Sequence, residues 1–66
     1  MKNNVKLARL SANITQTDLA RKTGITRQTI SLIEKGAYNP SLQLCIALAK
    51  ELGKTLDELF WEVNDQ

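Results

Sequence analysis

The sequence predicts an all-α fold in which five short helices pack into one compact domain. Apolar residues make up 42% of the 66 residues and aromatic residues only 5%, which suits short packed helices better than a β-sandwich or a disordered chain. A Ser or Thr able to cap a helix precedes each of four amphipathic segments, and a Gly follows three of them. The length is near the lower limit for folding without disulfides or metal, so we expect a single domain over residues 1–66.

The first helix is expected to begin after Asn3 or Asn4 and to run to about Asn13. Leu7 and Leu10 fall on a different side of this helix from its buried face. They either pack on the C-terminal end of the chain or form a small exposed apolar patch. The residues expected on the buried face are Val5, Ala8 and Ala12.

Residues 15–36 have the pattern of a helix, a tight turn and a second helix. Thr15 is placed to cap the first of these helices, which Gly24 would end. Thr26 is placed to cap the second, which Gly36 would end. We therefore predict a helix-turn-helix unit over residues 16–36. Its expected core contacts come from Leu19, Ala20, Ile30 and Ile33.

The C-terminal half predicts two more helices. Ser41 caps a long helix that ends at Gly53, and Thr55 caps a short last helix. The tail at residues 61–63 alternates apolar and polar side chains, so it could form a short two-stranded ribbon with residues 1–4. The long helix has an expected apolar side of Leu42, Cys45, Ile46, Ala49 and Leu52, and the last helix carries Leu56, Leu59 and Phe60.

The composition excludes several classes of site. The chain has no His and one Cys, so it cannot form a zinc finger, a His-based catalytic dyad or an internal disulfide. It also lacks a nucleophile with a base and a Gly-rich phosphate loop, so we expect no enzyme, no cofactor, no metal and no small-molecule ligand. Cys45 could be a redox sensor, but its apolar side and the lack of neighbouring basic residues favour a core role.

The location follows from the same features. The sequence has no apolar run long enough to span a membrane and no signal-peptide core, so we expect no membrane partner. A lone cysteine fits a reducing compartment. We therefore expect a cytoplasmic protein.

Charge is distributed unevenly along the chain. Residues 1–40 contain seven Lys or Arg and two acidic residues, for a net charge of +5, whereas residues 41–66 contain two Lys and five acidic residues, for −3. Positive potential should therefore gather on the half that contains the helix-turn-helix unit, where a polyanion would bind. An ordinary solvated mixture of charges is the alternative.

The second helix of the unit has an outward polar face of the kind that reads DNA. At about 100° per residue, Gln28, Ser31 and Leu32 lie opposite the buried side, with Arg27 at the edge. Arg can bridge guanine and Gln can bridge adenine in the major groove. The Ser31 hydroxyl could bond either a donor or an acceptor in the groove, and Leu32 could cover a thymine methyl group.

Other polar residues surround this face at positions suited to phosphate. Gln16 opens its own helix, so its amide and the free backbone N–H groups near it could bind a phosphate oxygen. Tyr38 could instead pack over the core edge, and Asn39 and Ser41 also have turn and capping roles. The remaining candidate phosphate ligands, around the end of the helix, are Lys35, Tyr38, Asn39 and Ser41.

These features share one motif. It is Gln16-x-x-Leu19-Ala20-x-x-x-Gly24-Ile25-Thr26-x-x-x-Ile30-Ser31-x-Ile33-Glu34-x-Gly36, followed by Pro40-Ser41-Leu42. The motif resembles the helix-turn-helix of Cro and phage-repressor type regulators, the xenobiotic-response-element family, and the resemblance covers about residues 4–60. It implies a five-helix, lambda-repressor-like domain that binds a palindromic operator as a homodimer, as the compact stand-alone members do.

The resemblance also implies roles for particular residues. Gln16 falls at the phosphate-clamping position of the family, and an ion pair is implied between Arg9 and Glu34, both of which lie beside buried faces. Leu32 departs from the polar reader that many members carry, and Lys54 departs from the usual apolar residue before the last helix. The base-facing or groove-facing positions are occupied by Thr26, Arg27, Gln28, Ser31 and Leu32.

An apolar cluster at the C-terminal end is more than so short a chain is expected to bury alone. We predict that residues 55–66 form a dimer surface. Trp61 could instead fold back over Leu7 and Leu10 of the same subunit. The residues of the predicted dimer surface are Leu56, Phe60, Trp61 and Val63.

Two functions are consistent with these features of the sequence. The first is a sequence-specific regulator of transcription, a repressor that binds double-stranded DNA as a homodimer. The alternative is a helical protein-interaction module, such as an antitoxin or adaptor, which the acidic C-terminal half and its apolar cluster would favour.

Overall fold

Five α-helices and their connecting turns account for most of the described part of the chain, which is residues 2–61 of the computed structural model. The helices are α1 (Val5–Ser11), α2 (Gln16–Thr23), α3 (Arg27–Glu34), α4 (Leu42–Leu52) and α5 (Leu56–Phe60). The all-helical, five-helix prediction is confirmed. Of the ribbon predicted from residues 1–4 and 61–63, Met1 and residues 62 and 63 lie outside the described residues, and residues 2–4 and 61 form no strand.

Side-chain caps start four of the helices at the predicted residues. The hydroxyl oxygens of Thr15, Thr26, Ser41 and Thr55 each accept a hydrogen bond from the backbone N–H three residues later, at 3.0–3.2 Å. Each bond satisfies an amide that has no partner within its own helix. At α5 the Glu58 carboxylate also accepts from the Thr55 N–H at 2.8 Å, which completes a capping box.

Helix α1 is shorter than predicted because Asn13 adopts a left-handed backbone conformation, with φ at 59°. The Ile14 N–H donates to the Arg9 carbonyl and the Asn13 N–H donates to the Leu10 carbonyl, both at 3.1 Å. This is the Schellman arrangement that glycine usually closes and that Asn can also adopt. The helix therefore ends at Ser11, and Ala12 is exposed rather than part of the core.

The core lies between the helix-turn-helix pair, α2 and α3, and the other three helices, α1, α4 and α5. Helix α4 crosses this core with Leu48 fully buried, a residue that the sequence prediction omitted. Leu42 and Ile46, which were predicted to be on its apolar side, are 68% and 40% exposed, so that prediction is wrong for both. The fully buried side chains are Val5, Leu19, Ile30, Ile33, Leu48 and, almost completely, Leu59.

Two Asn residues attach the N-terminal segment to the rest of the domain. The Asn3 side-chain amide donates to the Ile33 carbonyl at 2.8 Å, and its oxygen accepts from the Val5 N–H at 3.0 Å. The backbone N–H of Asn4 donates to the Leu59 carbonyl at 2.8 Å. These bonds connect the start of α1 to the ends of α3 and α5, so the two termini of the described chain lie together.

Cys45 is buried on the apolar side of α4, and its Sγ lies 3.8 Å from the Pro40 carbonyl oxygen. Burial raises the pKa of this thiol, and a backbone hydrogen bond only partly opposes the shift. A raised pKa disfavours the reactive thiolate. These observations support the interpretation of Cys45 as a core residue.

Candidate nucleic-acid interface

Helices α2 and α3 are joined by a turn that begins at Gly24. Gly24 has φ at 76°, where residues with a Cβ are strained, and the next amide, Ile25 N–H, donates to the Ala20 carbonyl at 3.0 Å. Thr26 then caps α3 directly. Only Ile25 separates Gly24 from the Thr26 cap, so the short turn fixes where α3 begins relative to α2.

The N-terminal part of α3 presents its predicted face to solvent. Thr26, Arg27 and Gln28 are exposed, Leu32 is 37% exposed, and Ser31 is half-buried. The Thr26 hydroxyl is occupied with the Thr29 amide and lies 2.9 Å from the Thr29 hydroxyl. Arg27 and Gln28 therefore supply exposed donors on this face, while Thr26 also has a capping role.

Behind this face, α1 and α3 are joined by the ion pair that the resemblance implies. Arg9 Nε lies 2.7 Å from Glu34 Oε2, and the side chains are only 9% and 4% exposed. Arg9 Nη2 also donates to Glu34 Oε1 at 3.3 Å, and Arg9 Nη1 donates to the Ile14 carbonyl at 2.9 Å. These bonds hold the Arg9 guanidinium against Glu34 and the Ile14 carbonyl, and Arg9 is only 7% exposed.

Gln16 has partners within the domain that the sequence did not reveal. Its Nε2 donates to Glu34 Oε1 at 3.0 Å, and its Oε1 accepts from Arg27 Nη1 at 3.3 Å. The residue is half-buried at the first turn of α2. The structure thus brings Gln16 and Arg27 together.

The flanking candidates lie on the loop between α3 and α4. Lys35, Tyr38, Asn39 and Ser41 are all exposed, and Ser41 is also the cap of α4. Tyr38 is 44% exposed, so its ring does not pack fully over the core. Lys35 directly follows α3 and so lies at the opposite end of that helix from Arg27.

The sequence of this domain matches a helix-turn-helix family model over residues 5–59. The chain belongs to the helix-turn-helix family. Among curated relatives, it is 47% identical over all 66 residues of both chains to an uncharacterized HTH-type transcriptional regulator, MJ0272, from Methanocaldococcus jannaschii. It is 41% identical over 61 residues, 92% of each chain, to the uncharacterized HTH-type transcriptional regulator YgzD of Bacillus subtilis.

Solved structures of helix-turn-helix proteins have the same fold. The restriction-modification controller protein C.AhdI from Aeromonas hydrophila matches with a TM-score of 0.79 and 30% identity, over 85% of each chain. A hypothetical transcription factor, NHTF from Neisseria, matches with a TM-score of 0.76 and 29% identity, over 83% of this chain and 63% of that one.

The helix-turn-helix domain leaves several large apolar side chains outside its core. Leu56 and Phe60, predicted to form the dimer surface, are half-buried against the core, while Trp61 is 67% exposed. Val63 lies outside the described residues. Leu7 and Leu10 are also exposed, so neither is covered by Trp61. The sequence prediction missed the exposure of Leu42 and Ile46 on α4.

Two further observations concern other kinds of site. Among residues 2–61, no three His, Cys, Asp or Glu side chains are grouped to hold a metal ion. Every helix in that range is too short or too polar to cross a bilayer.

Proposed function

We propose that this helix-turn-helix domain is a sequence-specific regulator of transcription that places the N-terminal end of α3 in the major groove of double-stranded DNA. The observation that carries the proposal is the exposed pair Arg27 and Gln28 in the first turn of α3, on a helix whose other side is locked in the core. Recognition helices of this class contact base edges with their N-terminal residues.

Within this proposal, the residues of the interface have different roles. Arg27 reads guanine and Gln28 reads adenine, each through two hydrogen bonds. Ser31 and Leu32 lie about one helical turn further on and contact the next bases, with Leu32 against a thymine methyl group. Thr26 borders the groove at the helix start.

The phosphate backbone is contacted on both sides of α3. Gln16 at the start of α2 binds one phosphate, and the exposed side chains after α3 bind the other strand or the next phosphates. The net charge of +5 over residues 1–40 supports this arrangement. The proposed ligands on the far side are Lys35, Tyr38, Asn39 and Ser41.

The same proposal includes a two-fold dimer that binds a palindromic operator with half-sites about 34 Å apart. Residues 55–66 form the dimer surface through Leu56, Phe60, Trp61 and Val63. The exposure of Trp61 supports this surface, because a large indole ring left in water is a common anchor of interfaces. Operator binding would repress transcription in the cytoplasm by blocking polymerase.

A salt titration tests the binding mode. A duplex selected from a random pool is labelled, and its dissociation constant is measured by fluorescence anisotropy from about 50 to about 200 mM salt. The logarithm of the association constant should fall linearly with the logarithm of the salt concentration. A flat response would contradict the proposal.

Two variants distinguish a residue that reads a base from a residue that contacts phosphate. Arg27→Ala should relax preference at one base position, whereas Lys35→Ala should weaken all sequences alike and reduce the salt slope by roughly one unit. If the two results are exchanged, the assigned roles are wrong.

A protein-interaction module is the second candidate, which the exposed apolar residues Leu7, Leu10 and Trp61 favour. Equilibrium sedimentation and a gel-shift experiment on the purified protein distinguish the two functions. A dimer that shifts duplex DNA supports the regulator. A monomer that shifts neither random nor selected duplexes supports the interaction module.

A further inference from the structure

Four side chains form a continuous hydrogen-bonded chain from the core to the outward face of α3. Arg9 pairs with Glu34 in the interior at 2.7 Å, and Glu34 Oε1 accepts from Gln16 Nε2 at 3.0 Å. Gln16 Oε1 then accepts from Arg27 Nη1 at 3.3 Å. Arg27 is exposed, whereas the Arg9 and Glu34 side chains are almost fully buried.

The chemistry of the two ends fixes the orientation of the Gln16 amide. An ionised carboxylate only accepts hydrogen bonds, so Glu34 can face only the NH₂ group of the amide. A guanidinium only donates, so Arg27 can face only the amide oxygen. Both requirements are met by the same orientation of the Gln16 amide, with Nε2 toward Glu34 and Oε1 toward Arg27.

From this geometry we propose that Gln16 is a positioning residue for Arg27, with its amide set by Glu34, and that Glu34 thereby contributes to base specificity as well as to the core. The inference rests on the proposed function, because it takes Arg27 to be a base reader. The second N–H of the Gln16 amide is not used by Glu34, so a phosphate contact by Gln16 remains compatible with this role.

The contact would act by reducing the conformational freedom of Arg27. An exposed Arg samples many rotamers, and holding it near one of them lowers the entropy lost on binding. The bond to Gln16 uses one donor of a guanidinium that has five, so the others stay free for the O6 and N7 atoms of guanine. At 3.3 Å the bond is long and is easily adjusted when DNA arrives.

Other residue types at position 16 would break this relation in different ways. Met has a similar length but no donor, and its sulfur is only a weak acceptor. Lys can pair with Glu34 and can bind phosphate, but it cannot accept from Arg27. The two variants Gln16→Met and Gln16→Lys therefore separate a positioning role from a phosphate contact, and neither removes Arg9 or Glu34.

The experiment measures base preference. Arg27→Ala first identifies the base pair that Arg27 reads in the selected duplex. The ratio of dissociation constants for duplexes with and without that base pair is then measured for each position-16 variant. Both variants should lower the ratio by roughly tenfold, the scale of one misplaced base contact. Gln43→Met, an exposed amide on α4, is the matched control and should leave the ratio unchanged.

The outcomes distinguish this inference from the proposed function. In an Arg27→Ala background, the position-16 substitutions should no longer change the ratio, and this loss of effect supports positioning through Arg27. If Arg27→Ala relaxes one base position but Gln16→Lys keeps the full ratio, the positioning role is refuted while the proposed function stands. If Arg27→Ala leaves every base preference intact, both the reader assignment and this inference fail.

Discussion

Replacing Arg9 with Met tests how strongly the buried ion pair stabilises the domain. The substitution removes the 2.7 Å contact with Glu34 and the hydrogen bond to the Ile14 carbonyl, and it leaves a carboxylate that is 4% exposed without its cation. Removing one partner of such a pair costs about 3–5 kcal/mol. A domain of 66 residues has a total stability of roughly 3–10 kcal/mol, so the substitution should remove between about a third and all of that stability.

Arg21 provides the matched control because it forms an ion pair of almost the same length at the surface. Its Nη2 lies 2.9 Å from Asp18 Oδ1, but the two side chains are 68% and 45% exposed. Exposed pairs of this spacing contribute about 0.5 kcal/mol or less. Urea unfolding of the wild type, Arg9→Met and Arg21→Met, followed by circular dichroism, gives the free energy of unfolding of each.

The comparison has a clear refuting result. If Arg9→Met and Arg21→Met lose the same small free energy, the buried pair is not a major source of stability. A fully stable Arg9→Met protein that only loses DNA affinity would instead make Arg9 a DNA ligand and would contradict its structural assignment.

Two further predictions concern helices α4 and α5. Leu48→Ala should lower the free energy of unfolding by about 2–5 kcal/mol, because Leu48 is fully buried, whereas Leu42→Ala on the same helix should change it by less than about 0.5 kcal/mol; equal losses in urea unfolding would contradict the burial of α4. At α5, the hydrogen bond from the Thr55 amide, assisted by Lys54, holds the pKa of Glu58 below its ordinary value of 4.5. A lowered folded-state pKa stabilises the domain above that ordinary value, and the stabilisation is lost as the pH falls through the folded-state pKa. Between about pH 7 and about pH 3, the unfolding free energy of the wild type should therefore fall more than that of Glu58→Gln, and parallel pH profiles would refute the role of this carboxylate.

The helix starts could be predicted from sequence because their causes are local. A hydroxyl at Thr15, Thr26, Ser41 or Thr55 needs only the backbone three residues later, and all four form that bond. The end of α1 could not be predicted in the same way. Most Asn residues do not adopt a left-handed backbone conformation, so the presence of Asn13 does not by itself predict a helix end. Asn13 adopts this conformation where the backbone N–H groups of Asn13 and Ile14 bond to carbonyls of the last turn.

The buried side of α4 was predicted correctly at Cys45, Ala49 and Leu52 but not at Leu42 and Ile46, because its apolar stripe is wider than the surface it packs against. At about 100° per residue, the apolar side chains between Leu48 and Ile46 occupy about 160° of the circumference of the helix. The buried side chains among them, from Leu48 to Ala49, occupy only about 100°. Sequence periodicity identifies the stripe and does not say which part of it faces the core. Contacts with α2 and α5 select the side that includes Leu48 and Leu52.

The candidate site was predictable in outline but not in its connections. The position of Arg27 and Gln28 in the first turn follows from the cap at Thr26 and the helical period. The link from Glu34 through Gln16 to Arg27 joins residues 18 and 11 positions apart in sequence, so it depends on how α2 and α3 pack.

Competition between a selected duplex and a shuffled duplex of the same composition tests the central claim most directly. With the salt concentration fixed near about 150 mM, the protein should prefer the selected duplex by about a thousandfold or more. The selected sequence should contain two symmetric half-sites spaced by about one helical turn of DNA. Equal affinity for the two duplexes, or no enriched sequence after selection, would contradict sequence-specific recognition through α3.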